Sequence, residues 1–183
     1  MGGVAHESGC DGQRAVGLRW GLLVPVLVVS AGMVLAGCEA KSRPLARGDP
    51  APSFRLEAYG GDSLSFPRDV GGHPALLLFW TDSCPYCLEE MRDIEALFPE
   101  LKKRGLSVLA INVGESHNAV DAIQANSPVS YPILFDNDSR VAQRYGIKAY
   151  PAAHLIDREG KVFRKIVGQL SPEVLMAVVK GVL

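Results

Sequence analysis

Two cysteines three positions apart, Cys84 and Cys87, stand in the segment 75–91, ALLLFWTDSCPYCLEEM, where an apolar run gives way to an acidic, helix-favouring one. A dithiol at this spacing can cycle between two thiols and a disulfide. The thiolate, not the thiol, attacks a disulfide sulfur. A strand ending at Trp80 and a helix starting at Pro85 put Cys84 at the helix N-cap, with Pro85 at the first helical position, where its missing N–H costs nothing. The free N–H groups and the dipole of that helix favour a negative sulfur and lower the pKa of Cys84. Cys87 lies one turn on and can attack the mixed disulfide that Cys84 forms. The spacing therefore makes Cys84 the nucleophile and Cys87 the resolving thiol. Zinc would need four ligands, and neither a second Cys pair nor His73, His117 or His154 has the spacing to complete a site. A purely structural disulfide over two intervening residues would close too small a loop to stabilise much. The redox reading remains, with no metal and no cofactor expected.

The elements that must hold this pair follow from periodicity and turn residues. Residues 54–57 and 64–66 alternate, with the turn Tyr59-Gly60-Gly61-Asp62 between them, so a hairpin is expected. Residues 75–80 form a continuous apolar run, the pattern of a central strand buried on both faces. From 85 to 103 apolar residues recur at three- and four-residue steps, which predicts a helix, with Pro99 kinking it and Gly105 ending it. Strands are expected over 106–113 and 132–135, with a turn and helix over 114–126 between them. A short helix over 138–145 should be capped by Asp138 or Asn137. Strands over 152–157 and 161–167 flank the turn Arg158-Glu159-Gly160. Ser171 and Pro172 open a last helix. Strands alternating with helices predict βαβ units, and the closing hairpin makes the sheet mixed. A Cys-x-x-Cys between strand and helix in this pattern reads as a thioredoxin-like redox site.

The 183 residues, 48% hydrophobic, suffice for one domain with a sizeable core, and a net charge of −1 gives no footprint for nucleic acid. Residues 21–37 carry no charge and follow Arg14 and Arg19, the pattern of a secretory signal. Their end, Leu35-Ala36-Gly37-Cys38, resembles the bacterial lipobox, which implies cleavage before Cys38 and a lipid on its sulfur. The other reading is an uncleaved anchor with an ordinary Cys38. The run of 17 residues is at the short limit for a span. Both readings place the rest of the chain outside the cytoplasm. The mixed leader before Val16, with Glu7 and Asp11, points to a later true start. The expected organisation is a signal over 1–37, a flexible tether over 38–50 rich in Pro, Gly and charge, and a domain over 51–183.

Several stretches of this domain resemble one family. Phe79-Trp80, Cys84-Pro85-x-Cys87 and Glu90-Met91 together are similar to the TlpA/ResA group of thioredoxin-like, membrane-tethered disulfide reductases. The resemblance implies a thioredoxin-like fold, a central mixed sheet flanked by helices, with an N-terminal β-hairpin extension. Ile111-Asn112-Val113-Gly114-Glu115-Ser116 resembles the segment that carries the family's active-site glutamate. That implies Glu115 as the proton carrier for Cys87. Tyr145 to Pro151 resembles the approach to the family's cis-proline. It implies a cis Pro151 facing Cys84, a Tyr150 backbone open to a substrate strand, and a substrate surface of Trp80, Pro85, Tyr86 and Tyr150. Three departures stand out. Ser83 replaces a common Trp, Leu78 occupies a position where many thioredoxins bury an Asp, and the Pro-Tyr dipeptide is glutaredoxin-like. His154 stands where an apolar residue is usual and reads as a buried neutral histidine. The implied activity is reduction of protein disulfides outside the cytoplasm, including apocytochrome c before haem attachment, with a transmembrane thiol reductase as electron donor. Two rivals share the fold: a peroxiredoxin-like thiol peroxidase, suggested by Thr81-x-x-Cys84, and a copper metallochaperone.

Overall fold

The computed structural model describes residues 43–114 and 117–183. Cys38 and Glu115, with the whole signal segment, lie outside the described residues. Among the described residues, no helix is long and apolar enough to cross a membrane.

Seven strands form one sheet in the order β2-β1-β5-β4-β3-β6-β7. The hairpin β1 (Phe54–Ala58) and β2 (Ser63–Phe66) closes through Gly60 and Gly61, both at positive φ, which other residues adopt only with strain. It joins the sheet antiparallel to β5 (Ile133–Asp136). The strands β3 (Ala75–Trp80), β4 (Ser107–Val113) and β5 run parallel, and every residue of β3 is buried. The strand β6 (Ala152–Ile156) runs antiparallel to β3 and pairs with the edge strand β7 (Val162–Val167). The mixed sheet and its hairpin extension agree with the sequence expectation.

Helix α1 (Pro85–Lys103) spans the expected residues, Pro99 included. Its end is a Schellman motif: Leu106 N–H donates to Leu101 C=O and Gly105 N–H to Lys102 C=O, with Gly105 at φ 86°. Helix α2 (His117–Asn126) follows β4, and α4 (Pro172–Val179) is capped by the Ser171 hydroxyl, which accepts from Val174 N–H. The cap of α3 (Arg140–Arg144) differs from expectation. Ser139 occupies the N-cap position without a side-chain bond, and the exposed Asp138 accepts from a single helix N–H, that of Arg140, whose side chain it also pairs with. The main cap is Asp136, at the end of β5, whose carboxylate accepts from Val141 N–H at 3.1 Å and Ala142 N–H at 2.8 Å. A buried carboxylate holding two orphan helix donors does more than an exposed one holding a single donor.

The expectation of a flexible tether up to residue 50 needs correction. Gly48 N–H donates to Val162 C=O, Val162 N–H to Asp49 C=O, and Ala51 N–H to Gly160 C=O. Arg43 forms a bidentate pair with Asp49, and Leu45 packs against the core. Pro-rich composition reads as linker, but these backbone groups find partners on the edge strand β7 and the turn before it.

The sheet divides the core in two. One face carries Leu76, Leu78, Trp80, Ala110, Ile133 and Phe135 and is covered by α1 and α4. The other carries Leu77, Phe79, Leu109, Ile111 and Leu134 and is covered by α3 and the N-terminal hairpin. A period of two along each strand produces this division.

Candidate functional site

The C-terminal ends of β3, β4 and β5 lie side by side, with Trp80 opposite Asn112 and Val113 opposite Asp136. The antiparallel β6 starts at the same edge, since Ala152 pairs with Phe79. Topology therefore brings the segment after Trp80, the segment after Val113 and Pro151 to one edge, where open parallel sheets place ligands.

Cys84 is the N-cap of α1, in extended conformation (φ −102°, ψ 99°), with Pro85 at the first helical position. Its Sγ accepts from Cys87 N–H at 3.2 Å, and its C=O accepts from Cys87 N–H at 3.0 Å and Leu88 N–H at 3.3 Å. No carboxylate lies in the first turn of α1. The sulfur is thus the acceptor that the positive end of the helix finds. In this structure Cys84 and Cys87 are joined by a disulfide, with Cα atoms 5.3 Å apart. The two sulfurs differ in access: Cys84 is part-exposed, and Cys87 is 0% exposed.

Behind Cys87 lies a group that sequence reasoning passed over. Glu90 is three residues on, on the same helical face, and only 3% exposed. Its Oε1 accepts from Leu170 N–H at 2.8 Å. Burial disfavours the carboxylate and pushes the Glu90 pKa up to about 7, although the Leu170 bond opposes it. The signal was present in the sequence. The buried stripe of α1 reads Cys87, Met91, Ile94, Phe98 and Leu101, and a carboxylate at position 90 interrupts it. Tyr131 packs on this helix, its hydroxyl donating to Met91 C=O at 2.8 Å.

The other expected residues are placed as follows. The Tyr150–Pro151 bond is cis, Pro151 is buried, and its C=O accepts from Gly168 N–H at 2.9 Å. Pro85, Tyr86 and Tyr150 are exposed, Tyr86 at 63%. Trp80 is 1% exposed and packs in the core cluster that holds Cys87 and Met91, so it supports the site from within and offers no outer surface to a substrate. As an even-numbered residue of β3 it points toward α1, whereas the family resemblance had implied a substrate surface. Glu115 falls outside the described residues. Glu90 has both burial and a place one helical turn from Cys87. Among the described residues, no cluster of three or more His, Cys, Asp or Glu could hold a metal.

Comparison with known proteins fits this arrangement. The model of the AhpC/TSA family matches residues 47–165, more than half of the chain. The thiol-disulfide oxidoreductase ResA of Halalkalibacterium halodurans is 30% identical over 90% of this chain and 93% of its own, and that of Bacillus subtilis is 27% identical over 89% and 90%. The chain belongs to the AhpC/TSA family and is a TlpA/ResA-like thiol–disulfide oxidoreductase. A thiol:disulfide interchange protein from Chlorobium tepidum aligns with this oxidoreductase at TM-score 0.67 and 27% identity, covering 75% of this chain and 97% of that one. StoA from Bacillus subtilis shows the same fold at TM-score 0.62 and 20% identity, over 70% and 97%. In an oxidoreductase of this kind, an accessible sulfur at a helix N-terminus can exchange with a disulfide. A buried sulfur one turn away can do so only from within the protein.

Proposed function

We propose that the oxidoreductase reduces disulfides of polypeptides outside the cytoplasm, through Cys84 and Cys87, with Glu90 moving the proton. The asymmetry of the pair carries this reading: a part-exposed cysteine at the helix N-terminus, and a buried one beside a buried carboxylate whose pKa stands near 7.

In the reduced protein the Cys84 thiolate attacks one sulfur of the substrate disulfide. That S–S bond breaks, and the departing substrate thiolate takes a proton from solvent. Cys87 then gives its proton to the Glu90 carboxylate and attacks the Cys84 sulfur. The mixed disulfide breaks, the second substrate sulfur leaves as a thiolate, and Cys84 and Cys87 end joined. Two electrons have passed to the substrate. A carboxylate with a midpoint near neutrality both accepts and returns a proton at the working pH. Pro151, at the same sheet edge, has no N–H to compete for the sulfur. Pro85, Tyr86 and Tyr150 supply the exposed surface beside it.

The segments before residue 43 extend the proposal. We read residues 1–37 as a cleaved signal and Cys38 as the lipid-bearing residue. A short tether then joins it to a domain that starts near Arg47 rather than at residue 51. Apocytochrome c is the proposed substrate, and a transmembrane thiol reductase the proposed donor, by the TlpA/ResA resemblance. Glu115 remains a proposed second carboxylate of the site.

The trap that tests the site uses Cys87→Ser, incubated with a polypeptide disulfide. A stable adduct on Cys84 is expected by peptide mass mapping. No adduct, or no loss of insulin-disulfide reduction in Cys84→Ser, would refute it. Reduction potential sets direction: a value near −270 mV fits a reductant, and one near −120 mV an oxidant.

A further inference from the structure

A cleft of about 460 Å³ lies between α3, the loop Gly146 to Ala149 and the end of β7. Four cations line it, Arg43, Arg144, Lys148 and Lys165, and no carboxylate does. Arg43 is already neutralised by Asp49. The other three make no ion pair with a described residue. The Arg144 guanidinium donates to Ser53 C=O and the Lys165 ammonium to Gly146 C=O, so both are held in place with their charge unspent. In a chain of net charge −1, three uncompensated cations around one concave surface form a local positive field. The loop that forms one wall runs directly into Tyr150 and Pro151 at the sheet edge of the dithiol. The opposite wall includes Val167, which pairs with Ala152 and is 63% exposed.

We propose that this cleft holds an acidic, extended segment of the same polypeptide whose disulfide Cys84 attacks. The inference rests on the reading of the dithiol as a reductase of polypeptide disulfides, and it names a substrate class within it: disulfides flanked by Asp and Glu. Ala149 and Ala152 of the cleft flank Tyr150 and Pro151, so a segment leaving the dithiol past Tyr150 meets the cleft next. The exposed wall at Val167 gives an extended chain apolar contact, and the three cations give it charge complementarity. An anionic membrane surface is disfavoured, because the cation nearest the N-terminal segment, Arg43, is the one already paired.

The test uses the full chain and two peptides with the same internal disulfide, one flanked by four glutamates and one by four glutamines. The acidic peptide should be reduced with a kcat/KM about tenfold higher at low salt, as expected for a few part-exposed ion pairs. The preference should collapse in 0.5 M salt and in Arg144→Gln/Lys148→Gln/Lys165→Gln. Lys148→Gln alone, which breaks no hydrogen bond between described residues, should lower it about two- to threefold. This guards against a triple variant that fails to fold. Equal kcat/KM for both peptides, or a preference that survives in both variants, overturns the proposal. Cys-to-Ser versions of the peptides, followed by fluorescence anisotropy, read binding without exchange. Tighter binding of the acidic one, weakened about two- to threefold on Lys148→Gln, supports the cleft even where no peptide disulfide is reduced, a result that would instead refute the reductase reading. Vesicles containing phosphatidylglycerol that bind the wild type, lose binding on Lys148→Gln and displace the acidic peptide would overturn the proposal in favour of a membrane.

Discussion

Glu90 and His154 are buried on opposite faces of the sheet, and the two groups behave in opposite ways. On the α1 face Glu90 is 3% exposed. On the other face His154 is 0% exposed, packed edge-on against Phe79 and Tyr145. Burial shifts both toward the neutral form, Glu90 up to about 7 and His154 down to about 4, the latter aided by Lys165. Glu90 has a hydrogen-bond donor in Leu170, whereas neither ring nitrogen of His154 has a partner among the described residues. The shared cause does not make them equivalent. Glu90 changes charge near neutral pH and stands one helical turn from a sulfur. His154 stays uncharged above about pH 4 and sits behind the sheet, away from both sulfurs. Burial tunes a pKa, but position relative to the reacting atom decides whether the tuning serves chemistry.

The largest expected contrast is between the faces themselves. Cys84→Ser should lower insulin-disulfide reduction by roughly a thousandfold or more, since the nucleophile is lost. His154→Leu should leave the rate within about twofold. A large loss in His154→Leu would break the division into a reactive and a structural face. Next in size is Glu90→Gln. It should slow the reaction about a hundredfold at pH 7, within the range of general acid–base catalysis, and remove the inflection near pH 7 from the rate profile. A profile that keeps the inflection would hand the proton to another group, Glu115 first.

Stability sharpens the same comparison. The unfolded chain loses the Glu90 proton near pH 4.5, but the native protein keeps it to about 7. Stability from this group therefore falls as pH rises through that window, by about 3 kcal/mol in all. The unfolded chain gains the His154 proton below about 6.5, but the native protein resists to about 4. Stability from His154 therefore falls as pH drops through that window, by a similar amount, about 3 kcal/mol. Between pH 4.5 and 6.5 the two slopes oppose. Urea titrations should show Glu90→Gln gaining stability with rising pH and His154→Leu losing it. Parallel profiles would contradict the opposed shifts. The smallest effect concerns the α3 cap. Asp136→Ala should cost about 2 kcal/mol, against a few tenths for Asp138→Ala, measured by denaturant midpoint.

Much of this was legible in the sequence, for identifiable reasons. The bounds of α1 follow from local chemistry: Pro at its start, Gly at its end and a 3.6-residue stripe between. Parallel and antiparallel pairings follow from alternation and loop length. What escaped depends on contacts distant in sequence. Glu90 owes its raised pKa to burial under segments distant in sequence, and the bond that opposes the rise comes from Leu170, eighty positions away. Asp136 was missed as a cap because its carboxylate reaches α3 from the end of a strand. Residues 43–50 looked like linker because their partners, Gly160 and Val162, belong to the far edge of the sheet. Trp80 was taken for a substrate surface from the family resemblance, although its place in a strand read as buried on both faces pointed inward.

The central claim is that Cys84 attacks and Cys87, with Glu90 behind it, resolves. Alkylation of the fully reduced protein by iodoacetamide across pH 4–9, with peptide mapping of each cysteine, reads it directly. The account predicts that Cys84 is alkylated first, with a midpoint below the usual thiol value of about 8.5. Cys87 should follow slowly, with a midpoint that moves in Glu90→Gln. Faster alkylation of Cys87 than of Cys84, or a Cys87 midpoint that Glu90→Gln leaves in place, would contradict it.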